Sequence, residues 1–404
     1  MIVQGLLLHN VLDSPKPIPG WLRIEGDRII DVREGDLPDG LRADCGGSDN
    51  IISPGFLDAH THLPQFNAIG CDGMDLLAWL DHVIYPAEAA WGDEAFAHQQ
   101  AALAYKRMLH AGTLGFAGYL TSHFHAWAAA VRAAHAIPLR GIVGQSLMDR
   151  HAPVVLLGQT TARLAASERG RLSASANPRF AISCSEAIMK NAAQRANART
   201  AMIQTHLAET AAECDRVREL FPDDVHYTSV YDRCGLLTPR TLLAHCVHLS
   251  PREWEVIRER QSVVVHCPTA NTFLCSGLFD LDAAREHGVR LALGSDVAAG
   301  PDIAMPRVAR AMIEVAKLRA LTINPRAHVP TPIEAWHLIT RGNAEACGWT
   351  DAGKLERGAA ADLLVLSGPF ERDEHLIGRL IYGWDESWIT ARIVAGVRLE
   401  PASA

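Results

Sequence analysis

Pro54-Gly55-Phe56-Leu57-Asp58-Ala59-His60-Thr61-His62-Leu63-Pro64-Gln65 is the stretch on which the rest of the chain depends. An apolar run ends in two histidines at i and i+2. On a strand these point to the same face, so both imidazoles can reach one metal ion. If the strand opens a barrel, its C-terminal end is the mouth, where barrel enzymes place their chemistry.

Downstream, short apolar runs alternate with helical patterns, which predicts a parallel sheet wrapped by helices. Eight runs can be counted, at 55–58, 113–119, 139–146, 179–183, 202–206, 241–245, 262–266 and 290–296. Eight predict an α/β fold, a closed (β/α)8 TIM-like barrel. Helical stretches lie between them, such as 93–110 and 250–260. The latter opens on Ser250-Pro251-Arg252-Glu253, a capping box with proline at the first helical position. Before Pro54 the chain is a series of short apolar runs broken by turns, including a hairpin through Glu25-Gly26-Asp27. The last 50 or so residues have the same texture, with a hairpin around Ala395-Gly396. The two ends are therefore expected to form one small β-sandwich domain, 1–53 plus 356–404, beside a barrel of 54–355.

Four of the eight strands end in a group able to bind or steer metal-held water: His60 with His62, His206, His245 and Asp296. A fifth ends at His266. A buried histidine is costly unless its ring nitrogens are satisfied, so packing explains such a set poorly. Three imidazoles and a carboxylate suit a borderline divalent ion, Zn²⁺ first and iron as the alternative. His60, His62, His206 and Asp296 are the expected ligands. Glu209, three residues after His206, is placed to carry a proton without binding the metal. No lysine ends the fourth run, and Lys190 lies beyond it, so one metal per chain is expected rather than two.

The composition is that of an ordinary globular chain: 404 residues, 48% hydrophobic and 21% charged. A net charge of -8 and the lack of a basic run argue against a nucleic-acid surface. No apolar stretch of about 18 residues predicts a membrane span. The first residues lack the pattern of a secretory signal. Nine cysteines without CxxC spacing read as free thiols of a reducing cytosol, so a cytoplasmic location is expected. Cys184, Cys246 and Cys267, each ending an apolar run, read as core packing rather than ligands. The chain is also expected to be a homodimer.

These residues resemble the amidohydrolase superfamily, in PGFLDAHTH, in His206-Leu207-Ala208-Glu209, in the strand-end His245 and in Gly294-Ser295-Asp296. A narrower resemblance, to the guanine deaminases, rests on His62-Leu63-Pro64-Gln65-Phe66, Tyr85-Pro86-Ala87-Glu88, Pro178-Arg179-Phe180, His266-Cys267-Pro268 and Ser276-Gly277, among others. It runs from about 54 to 318. The chain departs from the pattern at Ala270 and Thr210, and 150–176 does not align clearly. The resemblance implies zinc on His60, His62, His206 and Asp296, with Glu209 as proton shuttle and Asp296 as proton acceptor. It implies that His245 holds the attacking water or product oxyanion. It also implies that Gln65, Arg179 and Phe180 bind a small heterocyclic base, most simply guanine. Other aminoheterocycles share the carbon under attack: 8-oxoguanine, isoxanthopterin or another pterin, and triazines. Hydrolysis of a different leaving group and a non-catalytic scaffold are the remaining alternatives.

Overall fold

The computed structural model describes residues 1–157 and 171–399. Part of the unaligned stretch 150–176 and the end of the span 356–404 lie outside these. Eight strands form one sheet in sequential order, Phe56–His62, Thr113–Leu120, Arg140–Leu147, Leu172–Pro178, Met202–Leu207, Thr241–His245, Val263–His266 and Arg290–Leu293. All neighbouring pairs are parallel. Helices cross over between most of them, as parallel pairing requires.

The barrel closes between its first strand and the segment following its eighth. Asp296 N–H donates to the His60 carbonyl at 2.8 Å and His62 N–H to that of Val297 at 3.1 Å. Beside this seam, the buried Asp58 carboxylate accepts from Ser295 N–H at 2.9 Å and Ser295 Oγ at 2.5 Å. Further down, Asn343 spans the same seam. Its Nδ2 donates to the carbonyls of Leu57 (2.6 Å) and Leu293 (2.8 Å), and its Oδ1 accepts from Leu293 N–H (2.9 Å).

The fourth strand departs from the expected run at 179–183. It is Leu172–Pro178, and Arg179 stands just past its end. The sequence Leu172-Ser173-Ala174-Ser175-Ala176-Asn177-Pro178 is too polar to be noticed as an apolar run. The reason is a polar network inside the barrel. Ser175 Oγ donates to Asn177 Oδ1 (2.7 Å), Gln204 Nε2 donates to Ser175 Oγ (2.9 Å), and Asn177 Nδ2 reaches the Gly118 carbonyl (3.3 Å). Gly144 makes room for it, since a Cβ there would lie 2.4 Å from Asn177 Oδ1.

Both ends of the described chain meet in a second, seven-stranded sheet. Cys45–Pro54 pairs in parallel with Ile2–Leu7 and antiparallel with Leu363–Leu366. The hairpins at Gly26-Asp27 and Ala395-Gly396 both form. The sheet curls on itself: Ile29 N–H donates to the Ala359 carbonyl at 2.9 Å and Ala361 N–H to that of Asp27 at 2.8 Å. Val3, Leu22, Ile24, Ile29, Ile52, Leu363 and Ile393 fill the space inside. Strand Cys45–Pro54 passes through Gly55 straight into the first barrel strand, so the two sheets share a continuous run of chain.

Candidate active site

The strand ends deliver their polar groups to one point at the barrel mouth. His60 and His62 come from the first strand, His206 from the fifth and His245 from the sixth. Asp296 follows the eighth. The backbone leaves the regular strand conformation at two of these groups and at Ala208, just after His206. Ala208, His245 and Asp296 have φ of 51°, 72° and 50°, a left-handed conformation that L residues seldom adopt and that clusters at functional sites.

His60, His206, His245 and Asp296 each offer a ligand atom within 4.8 Å of one another. His62 joins them: its Nε2 lies 3.2 Å from His206 Nε2 and 3.3 Å from Asp296 Oδ1. His60 Nε2 is 3.2 Å from the same oxygen. The carbonyl of Arg179 can only accept, so His206 must donate its Nδ1–H there, at 2.7 Å. A neutral His206 therefore turns an Nε2 lone pair into the cluster. Burial and the neighbouring imidazoles hold His206 well below the usual histidine range, and burial takes His62 down to about 4. Burial alone would raise Asp296, but its contacts with His60 and His62 outweigh that and keep the carboxyl well below its normal value. The Nε2 lone pair of His206, the neighbouring imidazoles and an ionised Asp296 carboxylate form a donor set suited to a divalent metal. His266 is not in this cluster. Its ring stacks on Phe279 (4.4 Å, 18°), and burial lowers it to about 3.

Around the cluster lies a small cavity of about 30 Å³. His62, His206, Glu209, His245 and Asp296 line one side. Gln65, Arg179, Phe180, Trp79, Leu80 and Leu274 line the rest. With His60 beside Asp296 in the cluster, the four expected ligands, Glu209, His245 and the three expected base-binding residues are brought to one place, and His266 is not. Glu209 Oε2 lies 3.5 Å from His245 Nε2, and its Oε1 accepts from Ser276 Oγ at 2.9 Å. Burial, then the charge of Asp296, pushes Glu209 up to about 8. His245 is aimed through its other nitrogen, Nδ1, 2.9 Å from Asn271 Oδ1.

Three residues here went unassigned in the sequence. The Tyr119 ring stacks on that of His62 (4.7 Å, 27°). Asn271 steadies His245, and its place in the His266-Cys267-Pro268 turn helix was the available signal. Glu88 lies on the short helix Tyr85–Ala89, which continues a π-helical turn at Leu80–Ile84. It is 1% exposed and accepts from Arg179 Nη1 at 2.8 and 2.7 Å.

The fold and this strand-end cluster define a class of metal-dependent barrel hydrolase. Residues 51–399 match the amidohydrolase family, and the chain belongs to it. Among its relatives, guanine deaminase of Escherichia coli (strain K12) is 31% identical over 381 residues, covering 88% of this chain and 85% of its own. The solved structure of the E. coli guanine deaminase superposes with a TM-score of 0.90 at 28% identity, over 100% of both chains. A guanine deaminase from C. acetobutylicum with guanine bound in its active site gives 0.90 at 25% identity, over 99% of both. The chain is a hydrolase of a small-molecule substrate. No described helix is long and apolar enough to cross a membrane.

Proposed function

We propose that this protein deaminates guanine, with water, to xanthine and ammonia. The observation that carries the reading is a single cavity lined both by the His/Asp cluster with Glu209 and by Gln65, Arg179 and Phe180. Likeness to guanine deaminases over most of the chain supports it.

In this reading His60, His62, His206 and Asp296 hold one divalent ion, zinc by the nature of the donors, with iron the alternative. When bound, such an ion acts as a Lewis acid, lowering the pKa of water toward ~7. The chain's own residues do the rest. Arg179 donates to the ring carbonyl, and Gln65 offers a donor and an acceptor to the polar edge. Phe180 covers the ring face. Glu209, at about 8, carries a proton at neutral pH and gives it to the ring nitrogen beside the amino-bearing carbon, which becomes electrophilic. Asp296 takes a proton from the attacking water, and His245 steadies that oxygen. The water oxygen bonds to the ring carbon. Asp296 then gives its proton to the departing amino nitrogen, Glu209 takes back a proton from the new hydroxyl, and the C–N bond breaks as the carbonyl forms and ammonia leaves. Residues 54–355 form the catalytic barrel, with 1–53 and 356–404 as its companion. The protein works as a cytoplasmic homodimer that has no nucleic-acid partner.

Ammonia release from guanine, 8-oxoguanine and isoxanthopterin tests the substrate. The highest kcat/KM is expected on guanine. A protein that ignored guanine and deaminated the pterin would keep the reaction class and lose the substrate assignment. Metal analysis of protein purified without chelator should find about one equivalent per chain, and two stoichiometric ions would overturn the single-metal site.

A further inference from the structure

We infer that Glu88 is the positioning residue of the substrate edge, holding Arg179 and Gln65 in one fixed arrangement. The inference rests on the proposed reading of Arg179 as the group that recognises the ring carbonyl. Three observations carry it. First, both Glu88 oxygens meet the same nitrogen, Arg179 Nη1, at 2.8 and 2.7 Å, so this pair does not consume the rest of the guanidinium fork. Second, Glu88 Oε1 also accepts from Gln65 Nε2 at 3.0 Å, while Gln65 Oε1 accepts from Ala298 N–H at 3.2 Å. Those two contacts pin the Gln65 amide at both ends and decide which end is donor. Third, the Tyr85 ring, three residues before Glu88, lies 5.5 Å from the Arg179 guanidinium carbon and supports its face.

Charge gives the arrangement its purpose. Arg179 and Glu88 are 3% and 1% exposed, too buried for water to compensate either ion alone. A lone buried guanidinium would be mobile and would draw anions. Paired with Glu88, it becomes a fixed, locally neutralised donor suited to the carbonyl of an uncharged ring. A site built to donate to one carbonyl rejects an analogue lacking it, because its own donor then goes unpaired. Glu88 thus acts on selectivity through Arg179, without touching the reacting atoms.

The test compares guanine with 2-aminopurine, which keeps the amino-bearing carbon and lacks the carbonyl. Glu88→Gln preserves volume but turns an amide toward Arg179 where a carboxylate stood. The wild-type preference for guanine, as a ratio of kcat/KM values, should fall about 10- to 100-fold in E88Q, the worth of a charged hydrogen bond. In an Arg179→Met background the same change should lower the ratio no further, because the two residues act as one unit. A structural role alone would lower both substrates equally and leave the ratio intact. That result would overturn the inference, as would a further fall in the double variant. If E88Q alone does not fold, the comparison of R179M with E88Q/R179M decides, since the double variant buries no unpaired charge. A wild type that turned over both substrates equally would overturn the reading of Arg179 and this inference with it. A discriminating wild type beside an equally discriminating E88Q would overturn the inference alone.

Discussion

Glu209 is held from two directions. Ser276 Oγ donates to its carboxylate, and its own backbone N–H donates to Glu213 Oε2 at 2.7 Å. Neither bond involves the His/Asp cluster, so Glu209→Gln should leave fold and metal content unchanged. It should lower kcat on guanine by about 10²–10⁴, the usual worth of a positioned proton carrier. Metal analysis beside steady-state kinetics checks this, and wild-type turnover in the variant would assign the proton to another group. Glu209 was legible in the sequence because it stands three residues from a strand-end histidine. Glu88 was not, although it is equally buried. It stood in the Tyr85-Pro86-Ala87-Glu88 motif without a role, because its partner Arg179 lies 91 residues away and only the fold brings the two together.

Elements were readable where burial imposed an apolar run and turn chemistry marked its end. The first strand and the hairpins of the second sheet are of this kind. So is the helix Pro251–Glu259, where Glu253 Oε2 accepts from both Ser250 N–H and Ser250 Oγ at 2.9 Å. The fourth strand broke the pattern because its Ser175 and Asn177 satisfy a polar interior rather than a solvent face. The closing seam could not be read at all. One of its clamps is Asn343, which joins Leu57 to Leu293 across 286 and 50 residues of chain. Asn343→Leu would leave one N–H and two carbonyls of the seam without this partner. A loss of about 3 kcal/mol or more in unfolding free energy is expected at ~1–3 kcal/mol for each buried polar group left unsatisfied. Chemical denaturation measures it, and a loss under ~1 kcal/mol would mean that other groups hold the seam.

Across the whole molecule, Asp351 ties the two sheets together. Its oxygens accept from Arg140 Nη1 of the barrel at 2.8 Å and from Arg28 Nη1 of the small sheet at 2.5 Å. Burial works to raise the Asp351 carboxyl, but the bonds from Arg140 and Arg28 outweigh it and bring the group down to about 2. The folded value thus lies below the ordinary 3.8. A depressed carboxyl contributes stability that is complete above the unfolded pKa and disappears as pH falls through the folded one. The contribution should be full above pH ~5 and fade between about pH 4 and pH 2. Denaturation midpoints of wild type and Asp351→Asn, taken from pH 7 down to pH 3, should converge as the pH falls. A constant gap would show that the carboxylate charge is not what joins the sheets.

The meeting of early and late chain in one sheet also sets a timetable. Arg28 and Asp351 are 323 residues apart. At a synthesis rate of ~5–20 residues per second, the ribosome takes roughly 16–65 s to pass from one to the other. Throughout that interval strand Cys45–Pro54 has no Leu363–Leu366 beside it, and until its last few residues the barrel seam has no Asn343. The nascent chain must therefore carry an unpaired strand edge for most of its own synthesis, the kind of edge that recruits chaperones or other nascent chains. Nascent chains arrested before residue 363 should be cut by protease within the first 54 residues, and full-length chains should resist.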